Sequence, residues 1–438
     1  MVQREATAGT ARAGSDTGLI VAARGLRSFA YGLLAVVLGV TLSQRGLPPA
    51  AIGVLITVSL VGDFWGTYLV ALVADQWGRR RTLAALALVM AATGAIFGLV
   101  TVYPVLLVTA FVGTLGTSAS ETAPFLPIEQ AMLPQVSAPE RHTALFARYN
   151  LVASFAGAGG ALVAGLPDLL THAGLPLATG LRLMFGVYTV AALLVALLVL
   201  RLSPHVEVAS TGAGTAGATR RWWRRLVPPL GRSRGIVLRL SALFSVDAFA
   251  GGLTVQSLIA LFFHLRFGVP LAGLAALFFG ANTLSALSFL AAPPLARRFG
   301  LLNTMVFTHL PSNVLLALVA VMPTLPLAAA MLLARQMLSQ MDIPTRQAYT
   351  MALVLPEERT AAASVTSLAR SAGSATSPVV SGLLLQGPLL VLGLPFLLSG
   401  TLKVAYDLAL WRLFRRVDTG PARQGRVGPD TPSHARKV

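Results

Sequence analysis

The sequence predicts an all-α membrane protein with twelve transmembrane helices arranged as two pseudo-symmetric six-helix bundles. Three observations support this fold class: the composition, a series of about twelve apolar windows of roughly 20 residues, and a weak internal repeat. Hydrophobic residues make up 55% of the chain and charged residues 11%, with a mean hydropathy of +0.73. Because soluble domains carry about 25% charged residues, lipid is the expected solvent for most of this chain.

Roughly 20 apolar residues are the length needed to cross a hydrocarbon core of about 30 Å as a helix. The windows are residues 28–43, 50–74, 83–101, 104–129, 144–166, 183–200, 236–263, 270–296, 301–322, 325–342, 361–386 and 389–411. A polar segment interrupts this rhythm after the sixth window, with a Gly/Ala/Thr/Ser tract at 210–219 and an Arg/Trp segment at 220–225. Such a segment is typical of a flexible linker followed by an interfacial segment at the membrane surface.

The chain is therefore divided into five parts. They are an N-terminal tail (1–25), a first bundle (26–202), a linker (203–234), a second bundle (235–413) and a C-terminal tail (414–438).

The basic residues indicate the orientation of these helices. With the N-terminus inside, the predicted cytoplasmic segments contain most of the 34 Lys and Arg residues, whereas Arg45, Arg182 and Arg266 lie in outer loops. This asymmetry follows the positive-inside rule and predicts a multi-pass protein of the inner (plasma) membrane with both termini in the cytoplasm. The net charge of +18 is then explained by attraction of the basic residues to anionic lipid at the cytoplasmic face, and not by binding to nucleic acid. The chain has no cysteine, and we expect neither a metal nor a cofactor.

The two halves repeat short patterns at nearly the same separation. Gly78 follows the second helix of the first half and Gly300 follows the second helix of the second half, while Glu129 and Arg346 occupy matching places further on. Parallel repeats of this kind are a known architecture of membrane transporters.

The segment 71–83 resembles the loop signature of the major facilitator superfamily, Gly-x-Leu-Ala-Asp-Arg-x-Gly-Arg-Lys-x-x-Leu. Asp75, Gly78, Arg79, Arg80 and Leu83 fit this pattern. The chain departs from it at Ala71, Val73 and Gln76. The resemblance implies alternating access, with the first, fourth, seventh and tenth helices lining a central cavity.

Buried charges follow that expected cavity, because the third, sixth and ninth windows contain no Asp, Glu, Lys or Arg. A proton-coupled transporter needs a carboxylate that gains and loses a proton as the cavity alternates. The first candidate is Asp247, which lies near the middle of the seventh window, and the next two are Asp63 and Glu121.

A polar face on the tenth helix supplies further candidates, because steps of four and three place its charged and polar residues together. The candidates for substrate contact are Glu121, Arg335, Ser339, Asp342, Arg370 and Gln256. An alternative is that these groups are permanently paired and only hold the bundles together.

A second group of residues is predicted to act in gating. By the resemblance, the loop signature joins a charge network that stabilises the outward-facing state, and Glu129 could form an ion pair with Arg346 or with Arg79. Lys403 and Asp407, an i,i+4 pair in the twelfth window, are expected to neutralise each other. The gating candidates are Asp75, Gly78, Arg79, Arg80, Glu129 and Arg346.

We therefore predict a monomeric secondary transporter that exports a small organic compound, either drug-like or a metabolite, in exchange for protons. A proton-linked importer and a metalloid exporter of the arsenite type are alternatives. A transporter-like sensor is an alternative from another class. An enzyme is disfavoured, since the sequence contains no metal-binding motif and no phosphate-binding glycine loop.

Overall fold

Long apolar helices form nearly all of the described structure. The computed structural model describes residues 2–118, 124–136, 142–207, 231, 233–355 and 358–416. Within these ranges, nine helical segments are long and apolar enough to cross a membrane. Three further crossings are formed by two pairs of shorter helices and by one helix with a polar face, so the total of twelve agrees with the sequence prediction.

The first half contains eight helices that make six crossings. They are α1 (Val2–Gln44), α2 (Pro49–Trp77), α3 (Arg79–Leu99), α4 (Tyr103–Val112), α5 (Phe125–Met132), α6 (His142–Val163), α7 (Leu166–His172) and α8 (Leu177–Leu200). The second half repeats this order with nine helices. They are α9 (Arg234–Gly252), α10 (Gln256–Phe267), α11 (Leu271–Phe299), α12 (Leu301–Val321), α13 (Leu325–Gln336), α14 (Asp342–Leu353), α15 (Arg359–Leu384), α16 (Leu389–Leu392) and α17 (Leu394–Phe414).

The first helix begins well before the window that hydropathy predicts at residue 28. Its membrane-spanning part starts at Ser15, and most of it is buried inside the bundle. Asp16 is buried, and its carboxylate accepts hydrogen bonds from the backbone N–H of Ser203 at 2.9 Å and from the Ser203 hydroxyl. These bonds join the start of the membrane-spanning part of α1 to the segment that follows α8.

The fourth, seventh and tenth crossings are each interrupted near their middle. α4 ends at Val112, residues 253–255 separate α9 from α10, and residues 337–341 separate α13 from α14. The first two breaks meet across the halves, because the backbone N–H of Ser257 donates to the carbonyl of Thr117 at 3.2 Å. Discontinuous helices expose backbone groups at mid-membrane depth, which is a feature of transporter binding sites.

The repeat predicted from sequence is present in the backbone geometry. Gly78 joins α2 to α3 with φ +101°, and Gly300 joins α11 to α12 with φ +82°. Each glycine donates its N–H to the carbonyl of the residue four positions earlier, at 3.1 and 3.0 Å respectively. Both lie at the end of the bundle that we call the Gly78 end. Positive φ favours glycine, which explains why the same residue recurs at both joints.

A second repeated feature marks the other end, which we call the Arg45 end. The Arg45 guanidinium donates to the carbonyls of Phe97 and Val100 at the end of α3, at 2.7 and 3.1 Å. The Arg266 guanidinium donates in the same way to the carbonyls of Ala320 and Met322 at the end of α12. Each arginine thus satisfies carbonyls that have no partner within their helix.

Candidate functional site

One buried ion site lies entirely within the first half. Arg27 on α1 donates through both terminal nitrogens to the carboxylate of Glu129 on α5, at 2.6 and 2.7 Å. The hydroxyl of Tyr149 on α6 donates to the same carboxylate, and the Phe125 ring lies 4.3 Å from the guanidinium carbon. The Arg27 and Glu129 side chains are 0% and 1% exposed. A bidentate pair of this kind needs its full set of hydrogen bonds to offset the cost of burying two charges.

A larger ion site lies in the second half and is centred on Asp247 of α9. Its carboxylate accepts from Lys403 Nζ of α17 at 2.6 Å and from Arg370 Nη1 of α15 at 2.8 Å. Arg346 Nη1 of α14 is a third, longer contact at 3.4 Å. Four helices from different parts of the chain are therefore joined through one buried carboxylate.

This second site extends beyond Asp247 through two more carboxylates. Asp342 accepts from Arg346 at 2.6 Å, one helical turn away. His309 Nδ1 lies 2.9 Å from Asp407 Oδ1, while its Nε2 lies 4.0 Å from Asp247 Oδ1. The amide nitrogen of Asn313 lies 2.9 Å from the other oxygen of Asp407. We refer to Asp247, His309, Asp342, Arg346, Arg370, Lys403 and Asp407 as the Asp247 cluster.

The two ion sites occupy equivalent places in the two halves with the charges reversed. In the first half the first crossing carries a cation and the fourth a carboxylate, Arg27 and Glu129. In the second half the seventh crossing carries the carboxylate and the tenth the cation, Asp247 and Arg346. The third member is neutral Tyr149 in the first half and cationic Arg370 in the second.

The contacts between the halves lie at the Arg45 end and at mid-depth in the described part of the chain. α2 meets α15 where a Cβ built on Gly53 would lie 3.0 Å from Gly382 Cα, and Thr57 Oγ1 accepts from the backbone of Val379 at 3.0 Å. The carboxylate of Asp168 on α7 accepts from the backbone N–H of Ala272 on α11 at 2.7 Å. The halves therefore close the Arg45 end against each other.

Residues 20–339 match the family model described as Major Facilitator Superfamily. The chain belongs to the Major Facilitator Superfamily.

Relatives and solved structures are consistent with this family. The chain is 27% identical over 436 residues to the uncharacterized membrane protein YJR124C of Saccharomyces cerevisiae, covering 94% of this chain and 97% of the yeast protein. The D-xylose-proton symporter superposes with a TM-score of 0.72 at 13% identity, covering 92% of this chain and 98% of the symporter. The nucleoside transporter NupG superposes at 0.69 with 14% identity, covering 91% and 99% of the two chains. At these identities the solved structures show the fold alone.

Two ion pairs predicted for this superfamily member are wrong in the structure. Glu129 does not pair with Arg346 or with Arg79, because Arg27 already contacts both of its oxygens. Lys403 does not pair with Asp407, although the spacing would allow it. α17 presents the two residues to different neighbours, so Lys403 contacts Asp247 and Asp407 contacts His309.

The remaining predicted residues are distributed over several places. Asp63 and Gln256 are buried, and the backbone N–H of Gln256 contacts Ser118 Oγ at 3.5 Å. Ser339 donates to the side-chain oxygen of Gln336 at 2.7 Å, and Arg335 donates to the same oxygen at 3.3 Å. Glu121 and the side chain of Asp75 lie outside the described part of the structure.

Two of the gating candidates in the loop signature contact a residue that the sequence interpretation missed. Glu207 accepts from the backbone N–H groups of Arg79 and Arg80, at 2.6 and 3.1 Å, and so caps the start of α3. Arg80 also donates to the carbonyl of Leu200 at 2.7 Å. A carboxylate at a helix N-terminus is favourable electrostatically, but Glu207 lies 128 positions from Arg79, so no local pattern reveals it.

The tight contact at Gly53 gives a first testable prediction. Gly53→Val is expected to open the Arg45 end, because the added side chain would collide with the backbone of α15. Because the chain has no native cysteine, Thr57→Cys provides a single reporter for a membrane-impermeant maleimide. We expect faster labelling in the Gly53→Val background than with Gly53 intact. Gly159→Val is the matched control, since a Cβ there meets no atom within 4 Å in the described part of the chain. Equal labelling in all three backgrounds would show that this contact does not hold the end closed.

Proposed function

We propose that this protein is a secondary transporter that works by alternating access and exports a small organic substrate in exchange for protons. The observation that carries the proposal is the Asp247 cluster, which joins α9, α14, α15 and α17 through one buried carboxylate. Ionisable groups inside a membrane are costly and mark pathways for ions or substrates. The mid-depth breaks in three crossings support a binding site at the same level of the bundle.

The arrangement of Asp247 suits a proton-coupled switch. Its negative charge holds Lys403 and Arg370, and both bonds rely on that charge. A proton on Asp247 would neutralise the carboxylate and weaken both contacts, so that α15 and α17 would no longer be held to α9 in the same way. Proton binding would then favour one conformation over the other, which is the requirement for coupling. Asp63 and Glu121 remain the next candidates.

The closed Arg45 end is compatible with the proposed direction of transport. The basic residues Arg79, Arg80 and Arg201 lie at the Gly78 end, beside α3 and α8, and the second half has Arg297 and Arg298 in the same place. By the positive-inside rule we propose that this end faces the cytoplasm and that the protein resides in the plasma membrane with both termini inside. The described conformation would then receive substrate from the cytoplasm, as an exporter must.

The test uses everted membrane vesicles energised by respiration, with a pH-sensitive dye inside. A panel of amphipathic compounds is added to vesicles containing the wild type or Asp247→Asn. We expect at least one compound to dissipate the proton gradient through the wild type and to lose that effect in Asp247→Asn. Arg182→Gln, an exposed change at the start of α8, is the control and should behave as the wild type.

Three outcomes would contradict parts of this proposal. Dissipation that persists in Asp247→Asn would remove Asp247 as the proton carrier. Gradient-driven accumulation of a compound in intact cells, with no dissipation in everted vesicles, would establish import in place of export. No movement of protons or of solute in either preparation would refute proton-coupled transport.

A further inference from the structure

The membrane interior of the second half contains more cations than carboxylates. Its cations are Arg335, Arg346, Arg370 and Lys403, and its carboxylates are Asp247, Asp342 and Asp407. With a neutral His309, one positive charge is left without a carboxylate among the described residues of this interior. An uncompensated charge in a membrane is costly unless another group neutralises it.

Arg370 is the most accessible member of the Asp247 cluster. Its side chain is 32% exposed, whereas those of Asp247, Arg346 and Lys403 are 3%, 9% and 8% exposed. Of its five N–H donors, one is used in the contact with Asp247, and no other partner is found in the described part of the chain. Arg370 shares one face of α15 with Ser367 and Ser371, which are exposed and half-buried. This face can offer further donors to a ligand.

Arg335 is the second incompletely paired cation. It makes a hydrogen bond to Gln336, but no carboxylate lies within 4.0 Å of it among the residues described, and its Nε atom has no partner. It lies on the tenth crossing, seven positions before Asp342 of the Asp247 cluster. Arg335 is half-buried, as expected for a group that lines an internal space.

Neutral donors on α11 accompany Arg335. Ser285 donates to the side-chain oxygen of Gln336 at 3.2 Å, which brings this face of α11 next to the tenth crossing. Asn282 lies one turn earlier on the same face, and its amide nitrogen has no hydrogen-bond partner among the described residues. Donors without acceptors on two neighbouring helices therefore surround a region of excess positive charge.

We propose that the transported substrate is an organic anion whose acidic group is bound by Arg335 and Arg370. This inference rests on the proposed transport function and names its substrate class. A carboxylate, sulfonate or phosphate group would accept from both guanidinium groups and would neutralise the excess charge. A cationic substrate would instead add to this excess of positive charge. The direction is also consistent, because an inside-negative membrane potential drives an anion outward.

The experiment compares naphthalene probes that differ in one substituent: carboxylate, sulfonate, phosphate, aminomethyl or hydroxymethyl. Binding to the purified full-length protein is measured as a concentration-dependent rise in its thermal unfolding temperature. We expect at least one anionic probe to stabilise the wild type more than the aminomethyl and hydroxymethyl probes do. Arg370→Gln and Arg335→Gln should each weaken that binding by about tenfold or more, with partial recovery in Arg370→Lys, whereas Arg182→Gln should not change it.

The outcomes separate this inference from the proposed function. Stabilisation by the aminomethyl or hydroxymethyl probe alone, or by none of the anionic probes, would overturn the anion site. If neutral or cationic compounds still dissipate the proton gradient in everted vesicles, proton-coupled export would be supported although the anion site is refuted. Conversely, anion binding that depends on Arg335 and Arg370, with no proton movement in vesicles, would support the site and refute the coupling.

Discussion

Glu129→Gln is expected to destabilise the protein by about 3–5 kcal/mol, one of the two largest effects that the structure predicts. The change leaves Arg27 charged, fully buried and without its bidentate partner, since a glutamine amide offers one acceptor and places an N–H₂ group beside the second guanidinium nitrogen. Tyr149 would keep at most a weaker, neutral acceptor. The measurement is the unfolding of the purified full-length protein in denaturant, followed by loss of helical signal.

A double-mutant cycle makes this prediction specific to the ion pair. Arg27→Met combined with Glu129→Gln removes both charges, so the double variant should be more stable than Glu129→Gln alone. Glu358→Gln is the matched control, because Glu358 contacts the backbone N–H groups of Gly231 and Ser233 near the Gly78 end, and its loss should cost about 1 kcal/mol. If the two single changes and the double change are simply additive, the pair does not stabilise the first half as argued.

The helical crossings and their polar faces could be predicted from sequence because each depends on local composition. Hydropathy found the twelve crossings, and the charges at Asp247, Arg346 and Arg370 marked the buried cluster. The same method misplaced the start of the first helix, since it counts Arg24 and Arg27 as solvent-exposed. In the structure both are buried, and Arg27 is stabilised by Glu129, which is 102 positions away.

The partners of the buried charges could not be predicted because they depend on how the helices are rotated against each other. The i,i+4 rule correctly identified that Lys403 and Asp407 share a face of α17. It could not show that Asp247, 156 positions from Lys403, would be the nearer partner. Likewise the repeat correctly equated Glu129 with Arg346, but equivalence under pseudo-symmetry does not imply contact. Each of the two residues is paired within its own half.

Lys403 offers the sharpest test of whether Asp247 does more than hold helices together. Asp247→Asn alone is expected to destabilise the protein by about 3–5 kcal/mol, because Lys403 and Arg370 would lose their shared counter-charge in a buried site. Asp247→Asn combined with Lys403→Met removes one charge of each sign, so the double variant should recover a large part of that stability. Unfolding of the purified protein in denaturant measures the recovery.

The transport assay then separates structure from coupling. If Asp247 carries the proton, the stable double variant should still fail to dissipate the proton gradient in everted vesicles. The reason is that the asparagine amide cannot take up and release a proton in the pH range of the assay. Lys403→Met with Asp247 intact is the control: its carboxylate keeps Arg370 as a partner at 2.8 Å and should retain some gradient-dependent transport. Full recovery of proton-driven transport in the double variant would mean that Asp247 and Lys403 form a structural pair, and that the proton is carried elsewhere.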